Sequence, residues 1–403
     1  MKRQRTITPN FHLKLSLTII YFLGTWPPAT GKSRLIYLLY TALSFTFVLG
    51  ILLATEIANV LVHWGDMTKL AAVATLLMTN STHASKVITL LRCQTRIQTL
   101  LDAANSPMFS RYDKKHEDIL VRYTWKAIFH HAIYQSFGGI AVFCWGFTPI
   151  SDLIAGRSRR LPMEGWYPYN TTATPAFEIT AAHQGIAIII ACCHNVAMDT
   201  LMTGLITVAC SQLAILERNI TSIDNEGNVR RMRNNDKGKS LAIEGRVLSY
   251  QLLKRCAVHN KLIFDFTNEI QDIFGTVIFF QFLSNCVIIC LIAFNVSQMK
   301  VYIPAVLIGM LTYMCCMTYQ IFIFCWHGNE LHLHSMRLVT AAYSSNWFSN
   351  TERFKRGLQI VMTRAHRPLT LSAGRIMTLS LNTFVQIMRM SYSIFTVLQG
   401  SAA

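Results

Sequence analysis

Apolar residues are gathered into long runs separated by short basic stretches. Seven runs reach the length of a membrane-crossing helix, at residues 35–55, 68–91, 127–147, 179–210, 274–296, 301–324 and 378–398. Asn80, His83 and Lys86 interrupt the second run, the pattern of a helix that faces a polar cavity or ends early. A shorter run, 15–23, follows Lys14 and is closed by Trp26-Pro27-Pro28. No clean small-x-small cleavage site follows it, so it reads as an interfacial or re-entrant helix rather than a signal peptide. The last run differs from the others. Asn382, Gln386, Arg389, Ser393, Thr396 and Gly400 recur at steps of four and three and share one helical face. A helix over 378–398 would be about 31 Å long, enough to cross the hydrocarbon core. Its polar stripe is either a conduction surface or a buried polar seam holding a bundle together.

Between the spans, residues 224–239 are polar and charged and read as a solvated loop, in which Arg230, Arg231 and Arg233 could also meet anionic lipid. Residues 241–270 read as a helix extending the fifth span. The run 352–366 is amphipathic and stops before Pro368, so a helix, a break and then the final membrane helix are expected.

Composition places the chain among polytopic membrane proteins: 52% of its 403 residues are hydrophobic and only 14% are charged. The net charge of +17 would suggest nucleic acid in a soluble protein, but here the basic residues mark topology, and no nucleic-acid partner is expected. With the N-terminus inside, 31 of the 37 Lys and Arg fall on the cytoplasmic side. Seven spans then put the C-terminus outside, opposite to a G-protein-coupled receptor, and the Asp-Arg-Tyr and Asn-Pro-x-x-Tyr signatures of that class are missing. The outer segment 148–178 carries the sequon Asn170-Thr171-Thr172, on the side where glycosylation occurs.

The eleven cysteines lie in or beside apolar runs or in segments assigned to the cytoplasm, which argues for packing thiols rather than an extracellular disulfide framework. Cys192-Cys193-His194 and Cys315-Cys316 lack a second ligand pair at metal-binding spacing. His130-His131, His327, His332 and His334 invite comparison with membrane di-iron enzymes, but the spaced histidine motifs of that class are missing. Neither cofactor, metal nor catalytic residue is expected.

The C-terminal third carries, in order, Phe324-Cys325-Trp326-His327-Gly328-Asn329-Glu330, Ala341-Ala342-Tyr343 with Trp347, Arg367-Pro368-Leu369, Leu371-Ser372-Ala373-Gly374, and 391–399 from Ser391 to Gln399. In these residues it resembles the insect odorant receptors. The resemblance implies an all-α membrane fold of seven helices. It also implies an odorant-gated cation channel in the plasma membrane of olfactory sensory neurons, a heterotetramer with the olfactory co-receptor. A short second cytoplasmic loop fits the odorant-binding subunit rather than the co-receptor. The division implied is a cytoplasmic N-terminus (1–34), six spans with the pocket in their outer half (35–325), a cytoplasmic anchor region (326–376) and a pore helix with an outer C-terminus (377–403). The related gustatory receptors share this topology and stand as the nearest alternative.

By the same resemblance, the pocket lies between the second, third, fourth and sixth spans. Ser136, Gly139 and Phe143 form one face of the third span, and Met67, Ala71, His183, Ala187, Tyr302 and Val306 are candidates from the others. The stripe Asn382, Gln386, Arg389, Ser393, Thr396, Val397 and Gly400 becomes the expected pore lining, with its constriction at the outer end. Arg389 stands out, because four copies would ring a cation path with positive charge.

Overall fold

The computed structural model describes residues 10–28, 32–65, 67–110, 116–154, 156, 159–233, 238–299 and 304–402. In chain order the helices are α1 (Phe11–Phe22), α2 (Lys32–Phe45), a π-helical turn (Thr46–Gly50), α3 (Ile51–Val62), α4 (Met67–Arg92), α5 (Gln94–Ala104), α6 (Pro107–Ser110), α7 (Glu117–Ile154), α8 (Ala176–Arg233), α9 (Gly238–Ser297), α10 (Pro304–Ser344), a 3-10 turn (Trp347–Ser349), α11 (Glu352–Ala365) and α12 (Leu381–Ala402). A two-stranded hairpin, β1 (Ser372–Ala373) and β2 (Met377–Thr378), precedes α12.

Among the described residues all seven apolar runs are mainly helical; the last starts its helix at Leu381 rather than at Thr378, which lies in β2. Five helical stretches, starting at Ser33, Glu117, Ala176, Arg246 and Pro304, are long and apolar enough on their own to cross a membrane. α4 and α12 carry the remaining two runs; both are diluted by polar residues, and both have 22 or more residues. The structure extends several elements beyond their apolar cores. α8 continues to Arg233 and α9 begins at Gly238, so most of 224–239 is helix rather than the expected loop. α10 likewise runs on to Ser344. The α10 extension needs no hydrophobic run of its own because α11 packs against α10, and Leu338, Ala341 and Ala342 are buried there.

α8 organises the bundle, packing against α1, α7, α9 and α10. From Val196 to Leu213 every residue is buried, the signature of a helix surrounded by others. The 15–23 run becomes α1, which buries His12, Leu13, Ser16 and Ile20 against it; Ser16 Oγ and Thr200 Oγ1 lie 3.0 Å apart. α11 is the amphipathic helix expected before Pro368. Thr351 caps its N-terminus, accepting from the Phe354 N–H at 3.3 Å, and Phe354, Leu358, Val361 and Ala365 are buried at helical spacing. On its exposed side Lys355 holds the Glu352 carboxyl below its usual range.

Gly328 fixes where α12 starts. A Cβ there would stand 2.4 Å from Leu379 Cβ and 2.7 Å from the Leu379 carbonyl oxygen, so only glycine lets α10 meet the hairpin's exit this closely. The hairpin is in turn pinned to α9. Gln271 donates to the Ser372 carbonyl at 2.7 Å and accepts from its N–H at 2.6 Å, and Gly374 N–H donates to the Gly275 carbonyl at 2.8 Å.

The polar interruptions of α4 point inward. Lys86 Nζ lies 2.6 Å from Asp199 Oδ1, with the two side chains 1% and 0% exposed. Lys86 also donates to Asn195 Oδ1 at 2.8 Å, and Tyr134 OH donates to Asp199 Oδ2 at 3.0 Å. Gln320 donates to that same carboxylate oxygen, and Asn285 donates to Gln320 Oε1 at 2.8 Å. One network therefore joins α4, α7, α8, α9 and α10.

Two stability predictions follow from these contacts. Gly328→Ala should destabilise the purified protein by about 1–3 kcal/mol through overpacking, read as a lower Tm in detergent, whereas Gly146→Ala, where a Cβ meets open space, should not. Lys86→Met or Asp199→Asn alone should cost about 3–5 kcal/mol by stranding one buried charge, and the double variant should recover most of the loss. A double variant as unstable as the singles would remove the ion pair from this role.

Candidate functional site

Two chambers open among α3, α4, α7, α8, α9 and α10. The outer, of about 490 Å³, is bordered by Asn59, His63, Ala72, Thr75, Ile292, Asn295, Val306 and Met310, and by the loop residues Arg159 to Gly165. The deeper, of about 80 Å³, is bordered by Leu52, Thr79, Asn80, His83, Tyr134, Gly138, Ala141, Val142, Ile188, Cys192, Asn195, Cys316 and Met317. Leu76, Trp145, Met163 and Tyr313 border both. The Trp145 and Tyr313 rings meet edge to face at 4.9 Å, and Tyr313 OH is paired with Thr79 Oγ1 at 2.5 Å. These four residues form a throat between a vestibule of mixed lining and a mostly apolar pocket.

The segment after α7 closes the vestibule. Gln184 clamps Met163 by accepting from its N–H at 3.1 Å and donating to its carbonyl at 3.2 Å, while the Trp166 N–H donates to the Thr55 carbonyl at 3.1 Å. Gln184 also donates to Tyr167 OH at 2.9 Å. Burial pushes the Tyr167 phenol above its ordinary range, so it stays neutral. Arg160 is held by both oxygens of Asp152 at 2.8 Å, and this pairing raises its guanidinium above the usual value. Arg159 meets Glu178 at 3.3 Å and lies 5.9 Å over the Phe177 ring. The mouth is thus ringed by charges whose partners are already in place. Asn170 is exposed beside it, its Oδ1 accepting from the Thr172 N–H and hydroxyl.

The third-span face expected to line the pocket is turned away from both chambers. Ser136 is exposed and donates to the Ala132 carbonyl of its own helix; Phe143 is 71% exposed and stacks on Phe147; Gly139 is exposed with open space around its missing Cβ. Gly139 and Phe143 border a separate cavity of about 430 Å³ between α7 and α8. The lining face is instead Tyr134, Gly138, Ala141 and Trp145, at i, i+4, i+7 and i+11. The serine could not discriminate, because a hydroxyl satisfied by its own helix tolerates an apolar exterior. The informative residue was Gly138, where a Cβ would stand 2.6 Å from Cys192 Sγ and hold α7 and α8 apart.

Among the other candidates, Val306 borders the outer chamber. Ala71 is buried next to the lining residue Ala72, and Ala187 is buried in the cluster of Leu52, Met163 and Ile188. His183 packs edge to face on Phe47 and meets the Phe47 carbonyl at 3.0 Å, outside either chamber. Tyr302 and the Met67 side chain lie outside the described residues. Met163, which reaches the throat from the loop after α7, carried no periodic signal in the sequence.

The final helix resolves one of the two readings of its stripe. Asn382, Gln386, Arg389, Ser393, Thr396, Val397 and Gly400 are all exposed on α12, so the stripe is not a seam within this chain. The packed face is Thr383, Ile387 and Ser391, which meets α9 and α10; Ser391 Oγ lies 3.3 Å from Cys286 Sγ, and Phe384 packs edge to face on Phe322. Ser393 and Thr396 bond carbonyls of their own helix, at Arg389 and Ser393.

Comparison with known proteins agrees with this architecture. The model of the 7tm Odorant receptor family matches residues 66–392. Odorant receptor Or1 of Anopheles gambiae is 27% identical, over 96% of this chain and 94% of its own length. The Odorant receptor coreceptor of the same mosquito is 22% identical over 59% of this chain and 63% of its own. The solved structure of the olfactory receptor OR5 from Machilis hrabei in complex with eugenol superposes with a TM-score of 0.80 at 17% identity, covering 96% of this chain and 97% of that one. The seven apolar helical runs, the chambered bundle and a match over most of the chain lead to one conclusion: the chain belongs to the insect odorant receptor family.

Proposed function

We propose that this odorant receptor is the odorant-binding subunit of a ligand-gated cation channel assembled with the odorant receptor co-receptor. The observation that carries the reading is the aromatic throat, which joins a vestibule of about 490 Å³ to an apolar pocket of about 80 Å³ inside a single chain. Such a site suits a small volatile organic molecule, because each buried CH₂ contributes about 0.8 kcal/mol and few polar groups need matching. The eugenol held by the Machilis receptor is a molecule of this kind. Full-length likeness to Or1, against a partial match to the co-receptor, supports the tuning role.

The orientation that fits the basic residues has the N-terminus in the cytoplasm and the C-terminus outside. The polar face of α12 then lines the ion path, with Ser393, Thr396, Val397 and Gly400 at its outer end, and α11 with the inner ends of α8 to α10 forms the anchor between subunits. Membrane lipid covers the apolar exterior.

Co-expression with the co-receptor tests this. Odorant-evoked current should require both subunits, and Trp145→Ala should raise the half-maximal concentration of an activating odorant at least tenfold. Ser136→Ala and Phe143→Ala should move it less than twofold. Current without the co-receptor, or an unchanged response in Trp145→Ala, would overturn the assignment. Arg389→Gln should increase cation current through the assembly with the co-receptor, because it removes a positive charge from the path; an unchanged current would take Arg389 off the conduction face.

A further inference from the structure

The deep chamber ends on the buried ion pair, and Asn195 joins the two. Asn195 borders the chamber and is only half-buried, whereas Lys86 and Asp199 behind it are sealed. Its Oδ1 accepts from Lys86 Nζ at 2.8 Å. An ammonium group only donates, so the amide must give Lys86 its oxygen and turn its nitrogen away. That nitrogen has no hydrogen-bond partner among the described residues, and the open space at this residue is the chamber.

Most other donors of the lining are already committed. Thr79 Oγ1 donates to the Thr75 carbonyl at 3.0 Å and so accepts from Tyr313 OH. Tyr134 OH donates to Asp199, Asn80 Nδ2 donates to Glu56 Oε1 at 2.8 Å, and His83 is paired with His194 at 3.1 Å. The Trp145 indole N–H, at the throat, shares with Asn195 the lack of a partner among the described residues.

Asn195 differs from that indole in being held in register from behind. Asp199 fixes Lys86, and Tyr134 and Gln320 fix Asp199. A donor already oriented costs a ligand no reorganisation. A ligand oxygen that meets it recovers a hydrogen bond lost on leaving water, whereas one that finds no donor in an apolar pocket is stranded.

We infer that Asn195 Nδ2 is the hydrogen-bond donor of the chamber floor and selects ligands with a carbonyl oxygen, small ketones, aldehydes and esters, over alkenes of the same shape. This rests on the chambers being the odorant site. The test records current from the full chain co-expressed with the co-receptor, using pairs that exchange C=O for C=CH₂: acetophenone with α-methylstyrene, and 2-heptanone with 2-methyl-1-heptene. Each probe is read as an agonist or, where it evokes no current, as a competitor of an activating odorant. Asn195→Leu should weaken the ketones at least tenfold and change the alkenes less than threefold. Should that variant not reach the cell surface, Asn195→Ser is read in the same way, with a selective shift in the ketones of threefold or more. Its hydroxyl donates to its own helix, so the chamber again loses the donor. Trp145→Phe, which removes the indole N–H and keeps an aromatic ring, should shift both members of a pair alike. Equal shifts of ketone and alkene in the Asn195 variant, or a ketone-selective loss in Trp145→Phe in its place, would overturn the role of Asn195. Equal shifts there, beside a Trp145→Ala that weakens every probe, would leave the chambers as the binding site and reject the anchor alone; an unaffected Trp145→Ala rejects the site itself.

Discussion

The Lys86–Asp199 ion pair is the constraint on which the rest of the bundle depends. Neither charge reaches solvent, so each is tolerable only while the other, and the dipoles of Asn195, Tyr134 and Gln320, stay in register. These groups come from four helices, and Asn285 adds a fifth. Apolar packing alone would let helices slide or rotate at small cost. A polar network joined across helices does not, which is the physical reason to find it at the level where the chambers end.

The remaining polar residues are satisfied in two ways. Some inward-facing ones are joined across elements, as His194 is to Thr25 at 2.6 Å and to His83, while the buried Thr203 and Thr207 bond carbonyls of their own helix. Outward-facing hydroxyls, such as Ser136, bond their own backbone and so impose nothing on their surroundings. The amide and guanidinium groups of the α12 stripe fall outside both groups. Asn382, Gln386 and Arg389 are exposed, bear groups that a hydrocarbon exterior penalises, and among the described residues make no bond to other helices. Such a face belongs against water or neighbouring subunits.

The chambers themselves depend on segments with little regular structure. The loop after α7 is stapled to α3 through Thr55 and to α8 through Gln184, and it sends Met163 into the throat between Trp145 and Tyr313. Pro149, inside α7, supplies no N–H for the carbonyl of the lining residue Trp145. Access is therefore shaped by a loop as well as by the spans.

By itself, the sequence determined the class, the seven apolar helical runs, the amphipathic α11 before Pro368 and the one-faced stripe of α12, because each is a local pattern of period 3.6 imposed by contrast between apolar and polar surroundings. The motif around Gly328 was legible as a family mark; its reason, the approach of Leu379, was not. Only the tertiary structure decided which face of the third span lines the pocket, because Ser136 and Tyr134 differ in orientation by about 200° on a helix, and nothing local says which side meets α8. It alone paired Lys86 with Asp199, residues 113 apart in number, and brought Met163 to the throat. Those facts are set by long-range contacts, and no periodicity in the chain encodes them.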